Sequence, residues 1–398
     1  AIQLKNALEK NPDDAQARFM LASLALDADD ALTAQKEARR ALPLKYPVDE
    51  ALPVLGKSLT LQGKFQEALD ETEKGPRNGS IHTLRGHALL GLGKAEDAKR
   101  EFEAALARQP GFGDALTGLA RLAALDQDWN GAQRLVAEAI AKEPANFDAW
   151  QLKGDLLRVA GKPDEALAAY GQVLKIKPNH RTAHLEQAAI NIAAKKLDAA
   201  QADIDAARKS TPGNFLVAYH QALLDFTRGK MKEAQSNLLK VNQVAPNYQP
   251  AVLLSGIVAL NLGLLEQAED NLRKYLEWNP DSLQARKMLA GALLKSDQGR
   301  EAMAVLAPAL KNPQPDVAIL QLAGEAAMLS RDYGKASEYL GQAVKADTGR
   351  GASHTALGMV KLAQGDRPDA IAELRKALEG GPGWQKSGPV LVRPLAGL

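Results

Sequence analysis

Histidine is the side chain in this sequence best suited to proton transfer or metal binding near neutral pH. The six histidines are His82, His87, His180, His184, His220 and His354. None of them forms an HExxH pair or another metal-binding spacing. The sequence also contains no cysteine, which excludes disulfides, thiolate zinc sites and a thiol nucleophile. We therefore predict no metal site and no cofactor.

Two glycine-rich segments superficially resemble phosphate-binding loops. The segment GHALLGLGK, residues 86–94, lacks the Lys-Ser/Thr pair of a phosphate loop. The segment GRGASH, residues 349–354, lacks both a third glycine and a preceding strand. No nucleophile elbow is present. These observations favour a protein that is not an enzyme.

Composition excludes several classes of partner. Fifty basic residues stand against 48 acidic ones, and no basic stripe occurs of the kind that nucleic-acid binding requires. No apolar run approaches the ~18 residues that a transmembrane helix needs. Aromatic residues make up only 5% of the chain, which is rich in alanine and leucine and therefore reads as helix throughout.

A repeat of 34 residues runs through the sequence. It is marked by ladder alanines, which we define as Ala34, Ala68, Ala98, Ala132, Ala166, Ala200, Ala234, Ala268, Ala302, Ala336 and Ala370. Nine of their ten intervals are 34 residues and one is 30. Twelve residues before each stands a glycine or alanine, from Ala22 to Gly358. Each period holds two helical stretches, and we expect the two small residues to meet where these helices approach closely.

The offsets of these residues resemble the tetratricopeptide pattern. The best single copy consists of Gly86, Ala98, Phe102, Ala105 and Pro110. The resemblance implies an all-α, right-handed superhelix of about eleven helix-turn-helix repeats over residues 15–382, in one continuous solenoid. An N-terminal half repeat, residues 1–14, precedes it. Residues 383–398 carry no repeat pattern and are rich in glycine and proline, so we expect a disordered linker there.

The array has one irregularity and two abrupt ends. Four residues are missing between Ala68 and Ala98, where Gly75 and Pro76 end a second helix early. This indicates either a tolerated deletion or a bend after the first two repeats. Neither end carries the polar cap that a repeat array needs. We therefore expect the chain to be part of a longer solenoid.

A narrower resemblance concerns the opening segment AIQLKNALEKNPDDAQARFMLASLAL and the later segment LKGDLLRVAGKPDEALAAY. Both are similar to the tetratricopeptide proteins of the bacterial PEP-CTERM/exosortase system. This resemblance implies a periplasmic protein linked to exopolysaccharide and protein export, anchored to lipid through a preceding N-terminus. A cytoplasmic location is the alternative.

In tetratricopeptide proteins, positions 2, 5, 9 and 12 of each repeat point into the groove. We call them the inner positions and number the repeats from residues 15, 49, 79, 113, 147, 181, 215, 249, 283, 317 and 351. The middle repeats are polar there, at Thr83, His87, Thr117, Arg121, Asp148, Gln151, Asp155 and Arg158. The next three repeats are apolar there, with Leu185 and Leu216 as groove residues, and the predicted floor comprises Tyr219, Leu223, Phe226, Leu253 and Ile257.

A contiguous apolar surface facing a groove suggests a partner. The competing interpretation is that these side chains tilt into the stack between repeats. We predict a protein or peptide ligand on the apolar floor, oriented by Arg121, Asp155 and Arg158, with His87 as a further ligand contact. The resulting hypothesis is a non-catalytic scaffold that engages envelope export machinery. The alternatives are a regulatory region of a larger enzyme, such as a glycosyltransferase, and a polysaccharide-binding solenoid.

Overall fold

The computed structural model describes residues 2–28, 30–73, 75–346 and 351–379. In these ranges the chain forms 23 α-helices, a 3-10 helix at Leu42–Leu44, and no strand. The helices of the first half are α1 (Ile2–Lys10), α2 (Ala15–Asp27), α3 (Ala31–Ala41), α4 (Val48–Leu61), α5 (Phe65–Thr72), α6 (Gly79–Gly91), α7 (Ala95–Arg108), α8 (Gly113–Leu125), α9 (Trp129–Lys142), α10 (Phe147–Val159), α11 (Pro163–Ile176), α12 (Arg181–Ala193) and α13 (Leu197–Ser210). The all-α prediction is confirmed.

The remaining helices are α14 (Phe215–Thr227), α15 (Met231–Val244), α16 (Gln249–Leu262), α17 (Leu265–Trp278), α18 (Leu283–Lys295), α19 (Gly299–Leu310), α20 (Val317–Leu329), α21 (Tyr333–Ala346), α22 (Gly351–Ala363) and α23 (Arg367–Glu379). No helix in the described part is long and apolar enough to cross a bilayer. The predicted disordered tail, residues 383–398, lies outside the described residues.

The chain divides into two compact units. The N-terminal unit is Ala1–Pro212 and the C-terminal unit is Gly213–Leu398. Within each unit, helices that follow one another in the chain pack together, as the two helices of a repeat and as neighbours between repeats. The single continuous solenoid over residues 15–382 stays a prediction.

Local sequence sets the helix ends. Asp14, Asn78 and Asn146 each cap a first helix by accepting a hydrogen bond from the amide three residues on, at 2.9, 3.0 and 2.9 Å. Such caps satisfy amides that a helix leaves unpaired. Position 15 of the repeat then takes positive φ, which suits glycine. As the sequence predicts, glycine fills it at Gly63, Gly93, Gly161, Gly229, Gly263 and Gly365.

The ladder alanines form the centre of each helix pair. All eleven are buried, with exposed fractions of 0 or 1%, and the small residues twelve positions earlier are buried as well. A larger side chain on the second helix, sixteen positions after the small residue, packs directly against it. A methyl group on Gly86 would lie 2.6 Å from Cε1 of Phe102, and one on Gly256 would lie 2.9 Å from Cγ of Leu272. The small residue therefore makes room for this larger neighbour.

In the shortened repeat, the following helix, α6, supplies packing that the truncated helix cannot provide. Helix α5 has only 8 residues, against 14 in α7. Sixteen residues after Gly56 stands Thr72, and Leu84 from α6 fills the space above Gly56 instead. Arg85 donates a hydrogen bond to the carbonyl of Leu69, near the end of α5, at 3.1 Å. This packing explains how the fold accommodates the four-residue deletion.

A polar residue at position 4 of several repeats joins the two helices of its repeat. Its partner is a carboxylate nineteen residues on. The pairs are Arg18–Glu37 at 2.6 Å, His82–Glu101 at 2.7 Å, His184–Asp203 at 3.4 Å and His354–Glu373 at 2.6 Å. These contacts place His184 and His354 between the two helices of their repeats.

Candidate functional site

The inner positions of four successive repeats line one cavity in the N-terminal unit. Its volume is about 400 Å³. Ten lining residues occupy inner positions of helices α4, α6, α8 and α10: Pro53, Lys57, Thr60, Ser80, Thr83, His87, Asp114, Thr117, Arg121 and Asp148. The predicted inner face is therefore a concave surface in this unit.

Charged groups of both signs meet in this cavity. The carboxylate of Asp148 lies 4.0 Å from Nζ of Lys57 and 3.9 Å from Nη2 of Arg121. Both distances exceed that of a hydrogen bond, so these ion pairs are loose. Asp114 is held more firmly, because Asn146 donates a hydrogen bond to it at 2.8 Å. Burial raises the pKa of Asp114.

His87 is a neutral group at the cavity wall. Burial, together with the positive charge of Arg121, lowers the pKa of His87 to about 4. Its ring packs edge-on against Phe102, with 5.1 Å between the ring centroids. His87 therefore lines the predicted surface as an uncharged hydrogen-bonding group at neutral pH.

Two polar atoms of the cavity residues are buried without a partner among the residues described. They are Oγ1 of Thr83 and Nε of Arg121. Thr83 is only 4% exposed. Buried donors and acceptors are nearly always hydrogen-bonded in folded proteins.

Asp155 and Arg158 stand at inner positions but outside the lining of this cavity. Asp155 accepts hydrogen bonds from the hydroxyl of Tyr170 at 2.8 Å and from Gln151 at 3.0 Å. Arg158 pairs with Glu186 at 3.2 Å. Both side chains thus make contacts within the fold, and their proposed role in orienting a ligand stays a prediction.

The aromatic part of the predicted floor is half-buried in the C-terminal unit. Tyr219, Leu223 and Phe226 share one face of α14 and rest on a buried cluster that includes Leu238 and Leu254. Burial raises the pKa of Tyr219 to about 12. These side chains therefore pack partly into the stack, as the competing interpretation holds, and their binding role stays a prediction.

The other apolar residues predicted for the groove differ in how deeply they are buried. Leu216, Leu253 and Ile257 are half-buried, and Leu253 packs against the core formed by α17 to α20. Leu185, in the N-terminal unit, is only 3% exposed. Its inclusion in the ligand surface was wrong, because a side chain so deeply packed presents no area to a partner. The inner position alone does not reveal this packing.

Lys57 and Asp114 are cavity residues that the sequence-based interpretation missed. Both occupy inner positions, and extending the same rule to the repeat at 49 and to position 2 of the repeat at 113 would have found them. Across the described residues, no cluster of histidine, aspartate and glutamate is arranged to hold a metal ion. The cavity is thus a polar binding surface with an apolar border.

Comparison with known families agrees with this architecture. One family model described as tetratricopeptide repeat matches residues 89–156 and 265–325, and a second with the same description matches residues 152–215 and 322–383. Together they cover more than half of the chain. The chain is a tetratricopeptide-repeat protein. Proteins of this family generally bind protein or peptide partners.

Individual relatives are distant. The TPR repeat-containing protein YpiA of Bacillus subtilis is 28% identical over 138 residues, which are 34% of this chain and 32% of YpiA. The tetratricopeptide chain thus matches about a third of the length of that relative.

Solved structures show only loose similarity to this tetratricopeptide protein. A chain of the APC/C hetero-tetramer Cut9-Hcn1 is 15% identical with a TM-score of 0.46, and the match covers 98% of this chain and 92% of that one. MamA from Desulfovibrio magneticus RS-1 is 22% identical with a TM-score of 0.40, covering 44% and 97%. Neither likeness adds to the family assignment.

Proposed function

We propose that this tetratricopeptide protein is a non-catalytic interaction scaffold that binds a segment of a partner protein on the inner face of its N-terminal unit. The observation that carries the proposal is the shared cavity of four repeats, lined at their inner positions by charged and polar side chains. A groove that runs across several helices suits an extended segment, because successive repeats offer successive contacts.

The half-buried face of α14 supports a second contact surface in the C-terminal unit. Tyr219 and Phe226 are aromatic, and aromatic residues often carry much of the free energy of binding at interfaces. This surface is apolar, whereas the cavity of the N-terminal unit is polar. A partner bound there would therefore present apolar side chains.

We also propose a periplasmic setting in a PEP-CTERM export system. The support is the resemblance of the opening segment and of residues 152–170 to proteins of that system. The chain has nearly equal numbers of basic and acidic residues, which suits a protein partner. Its sequence shows no basic stripe of the kind that binds nucleic acid.

Site-specific photo-crosslinking in the cells that make the protein tests the scaffold function. A benzophenone amino acid replaces Leu61, which lines the cavity and is 54% exposed. The matched control replaces Glu138, an exposed residue on the second helix α9. We expect a discrete crosslinked protein from position 61 and none from position 138. Equal crosslinking at both positions, or crosslinking only from α9, would overturn the proposal.

A further inference from the structure

Two ion pairs in the N-terminal unit connect repeats that are not neighbours. Nζ of Lys57, on α4, lies 4.0 Å from the carboxylate of Asp148, near the start of α10. The carboxylate of Asp27, the last residue of α2, lies 3.8 Å from Nζ of Lys177, directly after α11. The first two repeats, which start at 15 and 49, thus reach the repeat that starts at 147. These contacts run across the array, whereas the packing of successive helices runs along it.

Contacts of this kind require the unit to curve. The first helices of successive repeats contact one another, and the axes of packed helices lie about 8–10 Å apart. In a straight stack, α2 and α10 would therefore be separated by roughly 30–40 Å, because they belong to the first and the fifth repeat. The pair of Asp27 and Lys177 instead closes at 3.8 Å. The inner face consequently wraps around the cavity, which Lys57 and Asp148 both line.

The ring of Phe147 contacts a lysine from each of the two ion pairs. Nζ of Lys177 lies 4.0 Å from the ring centroid, and Nζ of Lys57 lies 5.8 Å from it. An ammonium group at such a distance is attracted by the electron-rich face of an aromatic ring. Phe147 packs against the buried cluster that includes Tyr170, and its ring centroid lies 5.4 Å from that of His180. Because this ring is packed in place, it keeps both lysines near the junction.

The contacts across the array are individually weak. The side chains of Asp27 and Lys57 are 71 and 49% exposed, and both ion pairs are longer than a hydrogen bond. Exposed ion pairs contribute little to stability and are screened by salt. Packing along the array is far more extensive, since every ladder alanine is buried in it. Salt can therefore break the contacts across the array and leave the repeats folded.

Arg121 gives Asp148 a partner that does not depend on this closure. It lies on α8, in the repeat just before that of Asp148, and its Nη2 is 3.9 Å from the Asp148 carboxylate. Separation of Lys57 from Asp148 therefore leaves that carboxylate near a cation. Opening costs less for this reason, because removal of one partner does not isolate the charge.

We infer that the N-terminal unit is held curved around its cavity by a clasp that opens when its ion pairs are screened. The clasp consists of Asp27, Lys57, Phe147, Asp148 and Lys177. Opening changes the curvature of the stack, while each helix pair keeps its fold. Access to the cavity then depends on ionic strength. The clasp is a property of this chain by itself, so it goes beyond the proposed function and does not depend on it.

Distances between two spin labels in the intact chain test the clasp. The chain contains no cysteine, so cysteines that replace Arg40 and Ala168 carry the only labels. Both residues are exposed, Arg40 on α3 of the first repeat and Ala168 on α11 of the fifth. Raising NaCl from about 0.01 M to about 1 M shortens the Debye length from about 30 Å to about 3 Å. We expect a short, narrow distance distribution at low salt and longer distances at high salt. An unchanged distribution would overturn the clasp.

Removal of single charges tests whether the named residues cause this change. Lys177→Gln should shift the low-salt distribution toward the one seen at high salt. Lys175→Gln is the matched control, since Lys175 is exposed at the end of the same helix. It removes the same charge close to the clasp and should leave the distribution unchanged. Equal shifts in the two variants would overturn the assignment, because they would reflect net charge alone.

Asp27→Asn breaks the same ion pair from the other side. It serves alone if Lys177→Gln loses its helical circular-dichroism signal, and it should shift the distribution in the same direction. Adding Asp27→Asn to Lys177→Gln should produce no further shift, since both changes remove one ion pair. A further shift as large as that of Asp27→Asn by itself would show that the two residues act independently. That result, or no shift with Asp27→Asn, would overturn the clasp.

Discussion

The side chain at position 4 lies on the first helix of a repeat and contacts both the second helix of that repeat and the turn before it. His184 contacts Asp203 on the second helix of its own repeat, at 3.4 Å. It also donates a hydrogen bond to the carbonyl of Pro178, in the turn before the repeat, at 2.9 Å. Trp150 makes the equivalent contact with Pro144 at 3.0 Å. Position 4 thus joins the preceding turn to its own repeat.

The protonation of His184 is coupled to stability. The hydrogen bond with Asp203 raises the pKa of His184, and burial opposes this only in part. The folded state therefore favours the charged imidazole. The resulting stabilisation is complete below the ordinary histidine pKa of 6.5 and is lost as the pH rises through the pKa of the folded state.

Asp203→Asn should consequently destabilise the chain more at low pH than at high pH. We expect the cost in unfolding free energy to be greater by about 1 kcal/mol at about pH 5.5 than at about pH 8.5. Urea unfolding at both pH values measures it. Asp205→Asn is the control, since the half-buried Asp205 lies on the same helix and pairs with Arg208 instead of a histidine. A cost for Asp203→Asn that does not change with pH would refute the coupling.

At the scale of the helix pair, the glycine of the first helix and the large side chain sixteen residues on form a unit. Tyr170 covers Gly154 in this way, and Phe102 covers Gly86. Side chains in such close contact leave no room for an added methyl group. The 34-residue period therefore preserves this pairing as well as the ladder alanines.

Gly154→Ala tests the pairing directly. The new methyl group would lie 2.7 Å from Cδ1 and Cζ of Tyr170, so we expect a loss of about 1–3 kcal/mol of stability. Gly171→Ala is a matched control in the same repeat. Gly171 has only Gln187 nearby, at 3.8 Å, and alanine should stabilise helix α11 there by about 0.5–1 kcal/mol. Thermal denaturation compares the two variants, and equal effects would contradict this packing.

Periodicity predicts most of this architecture and part of the site. The 34-residue spacing identifies the helix pairs and the buried alanines, and the resemblance to tetratricopeptide proteins implies the inner positions of Thr83, His87 and Arg121. It does not reveal that Leu185 is packed away, because the extent to which neighbours cover an apolar side chain depends on local packing. It also cannot show that Leu84 replaces the large residue missing after Gly56, since that contact involves the following repeat.

At the scale of the whole molecule, the same inner positions carry different chemistry in the two units. In the N-terminal unit they supply Lys57, Asp148 and Arg121 to a polar cavity. In the C-terminal unit they supply Tyr219 and Phe226 to an apolar face. A repeat array can vary its inner residues because stability comes mainly from contacts between neighbouring helices. We therefore expect the two units to recognise chemically different segments.

The position of a bound segment tests the central claim most directly. A crystal structure of the intact chain with the partner segment that crosslinking identifies would locate it. We predict a segment of the partner in the cavity of the N-terminal unit, with a polar group of that segment roughly 3 Å from a charged side chain such as Arg121 or Asp148. A peptide that lies on the second helices, such as α7 or α9, with no peptide group near Arg121, would contradict it.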